Sequence, residues 1–330
     1  MTLAIQARDL CRSFGENKAV AGIDLDVPAA EIYGFLGPNG AGKSTAVRML
    51  CTLLAPTSGS AIVAGYDVVK APGDVRLRIG VALQDSSIDG RQTGRELLEL
   101  QGRLYGLRSA DIARRMDDVI GLVDIGAAID DRVNSYSGGM KRRLDLAMSL
   151  IHKPEVLFLD EPTTGLDPAS RSAVWEEVRN LNKQAGMTIF LTTQYLEEAD
   201  ELADRVGIIS AGKIEAEGTP TALKQAIGKD LIVAEVDAGS SDDIERAAEA
   251  LRSVDGVDAV EIHGGELSVA STDGAAVIAG VAVALNGCGV PVRSLTLRTP
   301  TLDDVFLDVT GSHLAGADET VRAEGTEASR

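Results

Sequence analysis

The stretch with the clearest chemical meaning is a glycine-rich run that fits the phosphate-binding pattern G-x-x-x-x-G-K-[ST]. Its glycines let the backbone wrap closely around an anion and point several N–H groups at it. Lys43 is placed to reach the β- and γ-phosphates of a nucleotide, and Ser44 to give its hydroxyl to Mg²⁺. The run consists of Gly37, Pro38, Asn39, Gly40, Ala41, Gly42, Lys43, Ser44 and Thr45.

The segments on either side of this run predict a strand, a loop and a helix. Residues 32–36 are apolar and indicate a buried strand, whereas residues 46–50 open a helix whose Leu50, Leu53 and Leu54 can face a sheet. The amino terminus of that helix adds partial positive charge at the loop. A glycine-rich turn that matches by chance is the alternative. The strand–loop–helix context favours a nucleotide site.

Two adjacent carboxylates follow a second apolar strand. Residues 156–159 predict a buried parallel strand, and Asp160 and Glu161 come directly after it. Asp160 suits a direct or water-mediated hold on Mg²⁺. Glu161 suits a general base, or a group that positions the attacking water.

Glutamines follow two further predicted strands. The strand at 79–83 leads into Gln84, and the strand at 188–193 leads into Gln194. Open α/β sheets place ligand contacts at the carboxyl ends of their strands. Gln84 is therefore predicted to reach Mg²⁺ or the attacking water.

A second glycine pair, Ser137-Gly138-Gly139, precedes another predicted helix. It is either an ordinary helix cap or a second anion site, since a hydroxyl and unobstructed N–H groups stand at a helix start. Two phosphate cradles far apart in the sequence favour a dimer in which each nucleotide is shared. Phe14, an isolated aromatic, is either core filling or a ring on which a purine stacks.

Composition narrows the class of protein. The chain has 330 residues, 45% of them hydrophobic, and a formal net charge of −18. This acidity argues against a protein that coats nucleic acid, so no nucleic-acid partner is expected. No apolar run reaches the length of roughly 18 residues that a membrane-spanning helix needs, and no signal peptide is apparent. The cysteines and histidines match no metal or redox spacing. We expect a cytosolic protein.

The order of predicted elements divides the chain. Residues 1–228 form the nucleotide-binding domain, with a helical subdomain at about 85–150 that interrupts the strand–helix alternation. Residues 229–311 follow a βαββαβ order, which is the ferredoxin-like arrangement, and carry no nucleotide motif. The tail at 312–330 is small and polar and is predicted to be disordered.

These motifs resemble those of the ATP-binding subunit of an ABC transporter over about residues 3–228. Lys43 lies in the run that resembles the Walker A loop, and Asp160 and Glu161 resemble the Walker B pair. The other correspondences are Gln84 to the Q-loop, Ser137-Gly138-Gly139 to the signature, Asp167 to the D-loop and Phe14 to the adenine-stacking aromatic.

The resemblance implies an α/β P-loop NTPase core with antiparallel β and helical subdomains, followed by the small α+β domain. It also implies ATP and Mg²⁺ as ligands. Two subunits would close head-to-tail over two ATP molecules and drive a membrane permease from the cytoplasmic face of the membrane.

One departure concerns Gln194, which stands where most members carry a histidine that touches the γ-phosphate. Glutamine donates a hydrogen bond but does not titrate near pH 7, so Glu161 carries the main burden of proton transfer. A nucleotide-gated binding module with little turnover is the alternative to an ATPase.

The segments Tyr136–Arg143 and Leu191–Asp200, with the C-terminal extension, are similar to daunorubicin-resistance-type exporter ATPases. Such proteins work with a separate permease of the ABC-2 type. The resemblance thus implies efflux of a drug, antibiotic or lipid-like compound. We expect the C-terminal domain to help hold the dimer or the permease.

Overall fold

A computed structural model of the protein describes residues 2–83, 88–123, 125–237, 241–263 and 266–311. Gln84 and the tail at 312–330, two subjects of prediction above, lie outside the described residues. The chain divides into two compact units, one within Met1–Pro220 and one within Thr221–Ser312.

The first unit alternates strands and helices. Its strands are β1 (Leu3–Phe14), β2 (Asn17–Pro28), β3 (Ile32–Leu36), β4 (Ser58–Val63), β5 (Tyr66–Asp67), β6 (Ile79–Ala82), β7 (Val156–Asp160), β8 (Thr188–Thr193), β9 (Arg205–Ser210) and β10 (Lys213–Gly218). Its helices are α1 (Lys43–Leu50), α2 (Pro72–Arg76), α3 (Gly94–Leu104), α4 (Ser109–Val123), α5 (Gly138–Leu150), α6 (Pro168–Ala185) and α7 (Leu196–Leu202).

A six-stranded sheet in the order β10-β9-β3-β8-β7-β6 forms the centre of this unit. Strands β9, β3, β8, β7 and β6 run parallel, and β10 pairs antiparallel with β9. Every residue of β3, β7 and β8 is buried, as expected for parallel strands covered on both faces. The carboxyl ends of these three strands meet at one edge, where the phosphate loop, the carboxylate pair and Gln194 follow them.

Side chains of β7 alternate between two cores, because successive residues of a strand point to opposite faces. Val156 and Phe158 join the core that contains α1, and Leu157 and Leu159 join the core that contains α5 and α6. Helix α1 ends at Leu50. Our expectation that Leu53 faces the sheet is therefore wrong, since Leu53 lies past the helix and is exposed.

The predicted antiparallel and helical parts are both present. Strands β1 and β2 form an antiparallel hairpin in a second sheet of order β2-β1-β4-β5. Helices α3 and α4 pack on each other and on α5, forming the helical insertion. Helix α3 begins at a capping box in which Thr93 and Glu96 satisfy each other's backbone N–H groups.

The second unit has the predicted ferredoxin-like order. Its elements are α8 (Pro220–Ile227), β11 (Asp230–Val236), α9 (Ser241–Arg252), β12 (Ala259–His263), β13 (Glu266–Ser271), α10 (Gly274–Gly287), β14 (Val292–Arg298) and α11 (Leu302–Thr310). The strands form an antiparallel sheet of order β12-β13-β11-β14. Its core packs Leu251 and Val281 from α9 and α10 against Ile232 and Val269 from the sheet.

This unit begins at Thr221 rather than at the predicted residue 229. The difference arises because α8 belongs with the second unit. Thr221 and Lys224 of α8 line one cleft together with Asp230 and Thr299 of the C-terminal sheet region. In the part of the chain that the structure describes, no helix is both long and apolar enough to cross a membrane.

Candidate functional site

Close backbone approaches hold the phosphate loop between β3 and α1. Gly42 has a φ of 108°, and a Cβ there would lie 2.3 Å from the carbonyl oxygen of Ala19. A Cβ on Gly37 would lie 2.4 Å from the carbonyl oxygen of Ile209. Only glycine fits at either position, so neighbouring backbone of the same chain requires glycine at 37 and 42.

The first turn of α1 faces a cavity of about 490 Å³. Among the described residues, no side chain caps this helix start, and its first turn carries no acidic residue. Lys43, Ser44 and Thr45 line the cavity. Uncapped N–H groups and the positive end of the helix dipole make this position attractive to an anion.

Lys43 is held almost out of contact with water. Its ammonium donates to the carbonyl oxygens of Gly37 at 2.7 Å and Pro38 at 3.2 Å, and lies 3.4 Å from Oε1 of Glu161. Burial lowers the pKa of Lys43, and the charge of Glu161 opposes that shift. The site therefore holds a positive charge in surroundings where it acts strongly on an incoming phosphate.

Asp160, at the end of β7, receives two hydroxyl hydrogen bonds on Oδ1. Ser44 Oγ donates at 3.3 Å and Thr192 Oγ1 at 2.5 Å. The same Thr192 oxygen accepts from the Glu161 N–H at 3.1 Å. The structure thus brings together the predicted residues Ser44, Asp160 and Glu161. Thr192 of β8 holds the carboxylate of Asp160 and the backbone of Glu161.

Glu161 has a φ of 48°, which lies in the left-handed region that non-glycine residues avoid. Its carboxylate lies between the Lys43 ammonium and the Thr164 hydroxyl, which donates to Oε2 at 3.3 Å. Backbone strain of this kind is stored at functional sites. The side chain is buried, yet it lines the same cavity as Lys43.

Gln194, directly after β8, also lines this cavity. The backbone there turns at Thr193, whose hydroxyl accepts from the Tyr195 N–H at 2.9 Å. Gln194 therefore shares this cavity with the phosphate loop, and its amide can donate or accept a hydrogen bond.

The Ser137-Gly138-Gly139 segment lies elsewhere. Ser137 caps α5 by accepting from the Met140 N–H at 3.3 Å, and both Ser137 and Gly138 are exposed. The lining of the cavity, within the described chain, does not include them. A Cβ on Gly138 would meet no described atom within 4 Å. No crowding from the described part of the chain accounts for this glycine.

Asp167 and Phe14 also lie outside that lining, as far as the structure describes it. Asp167 caps α6 through the N–H and hydroxyl of Ser170, and these bonds lower the pKa of its carboxyl. Phe14 ends β1 with its ring 49% exposed, and the Arg12 guanidinium lies 4.6 Å from the ring centroid.

Sequence reasoning missed several residues at the site. Thr192 and Thr164 bond the carboxylate pair, and Arg142 donates to the backbone on both sides of Glu161. The sequence does contain a signal for Thr192, because it is a polar residue at the end of an apolar strand. The structure buries Thr192 fully, and a buried hydroxyl needs a hydrogen-bond partner. A separate cavity of about 580 Å³ is lined partly by Leu3 and Met187, and its lining includes none of the predicted site residues that the structure describes.

Comparison with known proteins defines the class. The family model described as ABC transporter matches residues 20–164, and the one described as "ATP-binding protein DrrA1-3-like, C-terminal domain" matches residues 218–310. The cbiO1 protein of Clostridium perfringens, part of the ABC transporter complex cbiONQ, superposes with a TM-score of 0.63 at 25% identity, covering 69% of this chain and 94% of that one. The fold and the family match define an ABC-type ATPase.

Full-length relatives narrow the assignment. The daunorubicin resistance ATP-binding protein DrrA3 of Streptomyces coeruleorubidus is 48% identical over 301 residues, which is 91% of this chain and 93% of that protein. The daunorubicin/doxorubicin resistance ATP-binding protein DrrA of Streptomyces peucetius is 45% identical over 314 residues, 94% of this chain and 93% of that protein. The chain belongs to the DrrA-like family of ABC transporter ATP-binding subunits, which confirms the resemblance seen in its motifs.

Proposed function

We propose that the chain hydrolyses MgATP in the cavity bounded by Lys43, Glu161 and Gln194, and that this drives export through a separate ABC-2-type permease. One observation carries the proposal: a buried ammonium, a carboxylate and an amide line one cavity at the carboxyl edge of a parallel sheet. Membership of the ABC family makes ATP the nucleotide.

The residues present fit Mg²⁺ bound to a nucleotide. Ser44 offers a hydroxyl 3.3 Å from a carboxylate oxygen of Asp160. Within the described residues, no group of three or more His, Cys, Asp or Glu side chains could hold a metal ion. Mg²⁺ is usually held by one or two protein ligands together with substrate phosphates and water. Ser44, Asp160 and, by the family pattern, Gln84 would hold the ion, which neutralises phosphate charge when bound.

Lys43, Glu161 and Gln194 have distinct roles in this proposal. The buried Lys43 ammonium stabilises negative charge on the β- and γ-phosphates. Glu161 accepts a proton from the attacking water or fixes its orientation. Gln194 donates an amide hydrogen bond to the γ-phosphate. Since an amide does not titrate near neutral pH, no proton passes through this position.

The proposal requires two copies of the chain. Ser137 and Gly138 stand exposed at the amino terminus of α5, where a second anion would be held. In a head-to-tail dimer they would contact the ATP bound to the partner's phosphate loop. Asp167, at the start of α6, would lie at the same interface, and Phe14 would stack on adenine.

Steady-state ATP hydrolysis, measured against protein concentration, tests this function. Specific activity should rise with concentration, because a shared site needs two copies. Glu161→Gln should lower turnover by at least about a hundred-fold, the usual contribution of a general base. Glu197→Gln is the matched control, because Glu197 is 82% exposed and lies outside the cavity lining described above. Unchanged turnover in Glu161→Gln would overturn the assignment.

The exported compound is proposed to be a drug-like or lipid-like molecule, because the relatives named above are daunorubicin resistance proteins. The chain would act at the cytoplasmic face of the membrane, bound to its permease. Everted vesicles from cells that co-express the chain with a candidate ABC-2-type permease should accumulate doxorubicin only with ATP. Accumulation that persists with the Glu161→Gln chain would contradict the coupling.

A nucleotide-gated module with little turnover is the second candidate, and the observation that favours it is Gln194 in place of a titratable histidine. Glu161 stands in the cavity beside Lys43, which favours hydrolysis. ATP binding without hydrolysis, both with and without the permease, would favour the nucleotide-gated module over the ATPase.

A further inference from the structure

Arg142 is a partly buried cation in the early part of α5, shortly after the exposed Gly138. Its side chain is only 14% exposed. The guanidinium donates from Nη1 to the carbonyl oxygen of Leu83 at 3.0 Å and from Nε to that of Pro162 at 3.0 Å. A longer contact of 3.4 Å joins Nη2 to the carbonyl oxygen of Asp160.

These carbonyl groups belong to the catalytic elements of the same chain. Leu83 immediately precedes Gln84, and Asp160 and Pro162 flank Glu161. One planar guanidinium therefore joins the ends of β6 and β7 to the helix that begins at the signature segment. Because the donors of arginine form a rigid fork, a displacement of α5 changes the geometry at all three carbonyls together.

Asp145 holds the guanidinium from its own helix. Its Oδ2 lies 3.4 Å from Nη1 of Arg142, and its side chain is 13% exposed. Separating a pair that is this little exposed would leave an uncompensated charge, which is unfavourable. The pair therefore fixes Arg142 between the helix and the strand ends instead of letting it turn toward solvent.

We propose that Arg142 is a positioning residue that couples the two ATP sites of the dimer. Contact between one copy's signature segment and the nucleotide on the partner would shift α5. Arg142 would pass that shift to Asp160 and Glu161, which act on the ATP in that copy's own cavity. This inference rests on the proposed function, because the coupling needs a shared ATP site.

The test measures ATP-dependent turnover and nucleotide affinity for Arg142→Lys. Lysine keeps the charge but cannot reach three carbonyls from one plane. We expect kcat to fall by about ten- to a hundred-fold, as for a misplaced catalytic group. The Hill coefficient for ATP should fall from above 1 in the wild type to 1. Binding of a fluorescent ATP analogue to the subunit should change by less than about two-fold, because binding does not use Arg142.

Arg115→Lys is the matched control. Arg115 has the same 14% exposure, donates to the carbonyls of Leu150 and Ile151, and pairs with Asp118 three residues along its helix. Those carbonyls lie at the end of α5 remote from its signature segment. We expect kcat and the Hill coefficient of this variant to stay near wild type.

A wild-type Hill coefficient of 1, or normal kcat and cooperativity in the Arg142→Lys protein, would overturn the coupling. So would an equal loss of kcat in both lysine variants that matches the fraction of each protein that is folded. Failure of the proposed function looks different. In that case wild-type turnover would be absent or would survive Glu161→Gln.

Discussion

The phosphate loop and the signature segment both carry glycines at a helix start, but the chain explains them differently. At the loop, a Cβ on Gly42 would collide with the Ala19 carbonyl. At the signature, a Cβ on Gly138 would meet no described atom within 4 Å. The first glycine is required by the fold of this chain. The described part of the chain gives no steric reason for the glycine at 138. This is what we expect of a surface that would contact a ligand bound to a partner.

The largest expected effect is that of Gly42→Ala. Its added methyl group clashes with backbone and the φ of 108° disfavours alanine, so we expect a loss of about 2–4 kcal/mol in the free energy of unfolding. Gly40→Ala is the control, because Gly40 has a φ of 81° but open space around its Cβ within the described chain. It should cost about 1–2 kcal/mol. Urea denaturation measures both, and equal losses would contradict the steric argument.

Gly138→Ala should show the opposite pattern. Alanine favours a helix start over glycine, so unfolding should cost the same or up to about 1 kcal/mol more. Turnover should nevertheless fall by about ten-fold or more, because the methyl group would stand between the helix N–H groups and the partner's ATP. Gly121→Ala in α4, also in open space among the described residues, is the matched control and should leave turnover unchanged. Normal turnover in Gly138→Ala would argue against a shared site.

The smallest expected effect is a change with pH in the free energy of unfolding, and it comes from the partly buried pair of Arg142 and Asp145 on α5. Burial raises the pKa of Asp145 to about 6, although Arg142 opposes the shift. Because this pKa is higher in the folded state than in the unfolded chain, the folded state binds the extra proton. The stability this proton adds is present at acid pH and is lost as pH rises through about 6. Between pH 5 and pH 7 the loss should be about 1 kcal/mol.

Asp145→Asn should remove this contribution to the pH dependence of the free energy of unfolding, as measured by urea denaturation at pH 5, 6 and 7. His152 is partly enclosed, and desolvation lowers its pKa to about 4. It contributes to the pH dependence with the opposite sign in both proteins and cancels from the difference. Identical pH profiles for the wild type and Asp145→Asn would show that Asp145 does not titrate in this range.

Much of the fold could be predicted from the sequence, because its signals are local. The apolar runs before Gly37, Asp160 and Gln194 predicted buried strands, and parallel pairing brought their ends to one edge. The sequence did not show that α1 ends before Leu53, where Thr52 has a φ of 63° and the Leu53 N–H donates back to the Arg48 carbonyl oxygen. The start of the second unit at Thr221 differs from the predicted residue 229 because it depends on contacts between distant segments.

Residues of the site could be predicted from the sequence only where they belong to a recognisable motif. Arg142 lies in a stretch that looks like an ordinary basic helix face, and its partners are carbonyls that any sequence provides. Spacing cannot reveal which carbonyls fold against which side chain. Thr192 is likewise visible only as a polar residue in an apolar strand. The roles assigned to Lys43, Glu161 and Gln194 remain predictions for the experiments above.

The hydroxyl of Thr192 has a single hydrogen, and its hydrogen-bond partners fix the direction of that hydrogen. Its hydrogen points to Asp160, because a carboxylate oxygen only accepts hydrogen bonds, and Oγ1 itself accepts from the Glu161 N–H. The Glu161 peptide, the Thr192 hydroxyl and the Asp160 carboxylate thus form a hydrogen-bond chain that runs in one direction. The Glu161 N–H also donates to the backbone carbonyl oxygen of Thr192 at 3.1 Å, so turning that peptide would break two contacts to the same residue. The backbone position of Glu161 and the orientation of the Asp160 carboxylate are therefore tied together through one residue of β8.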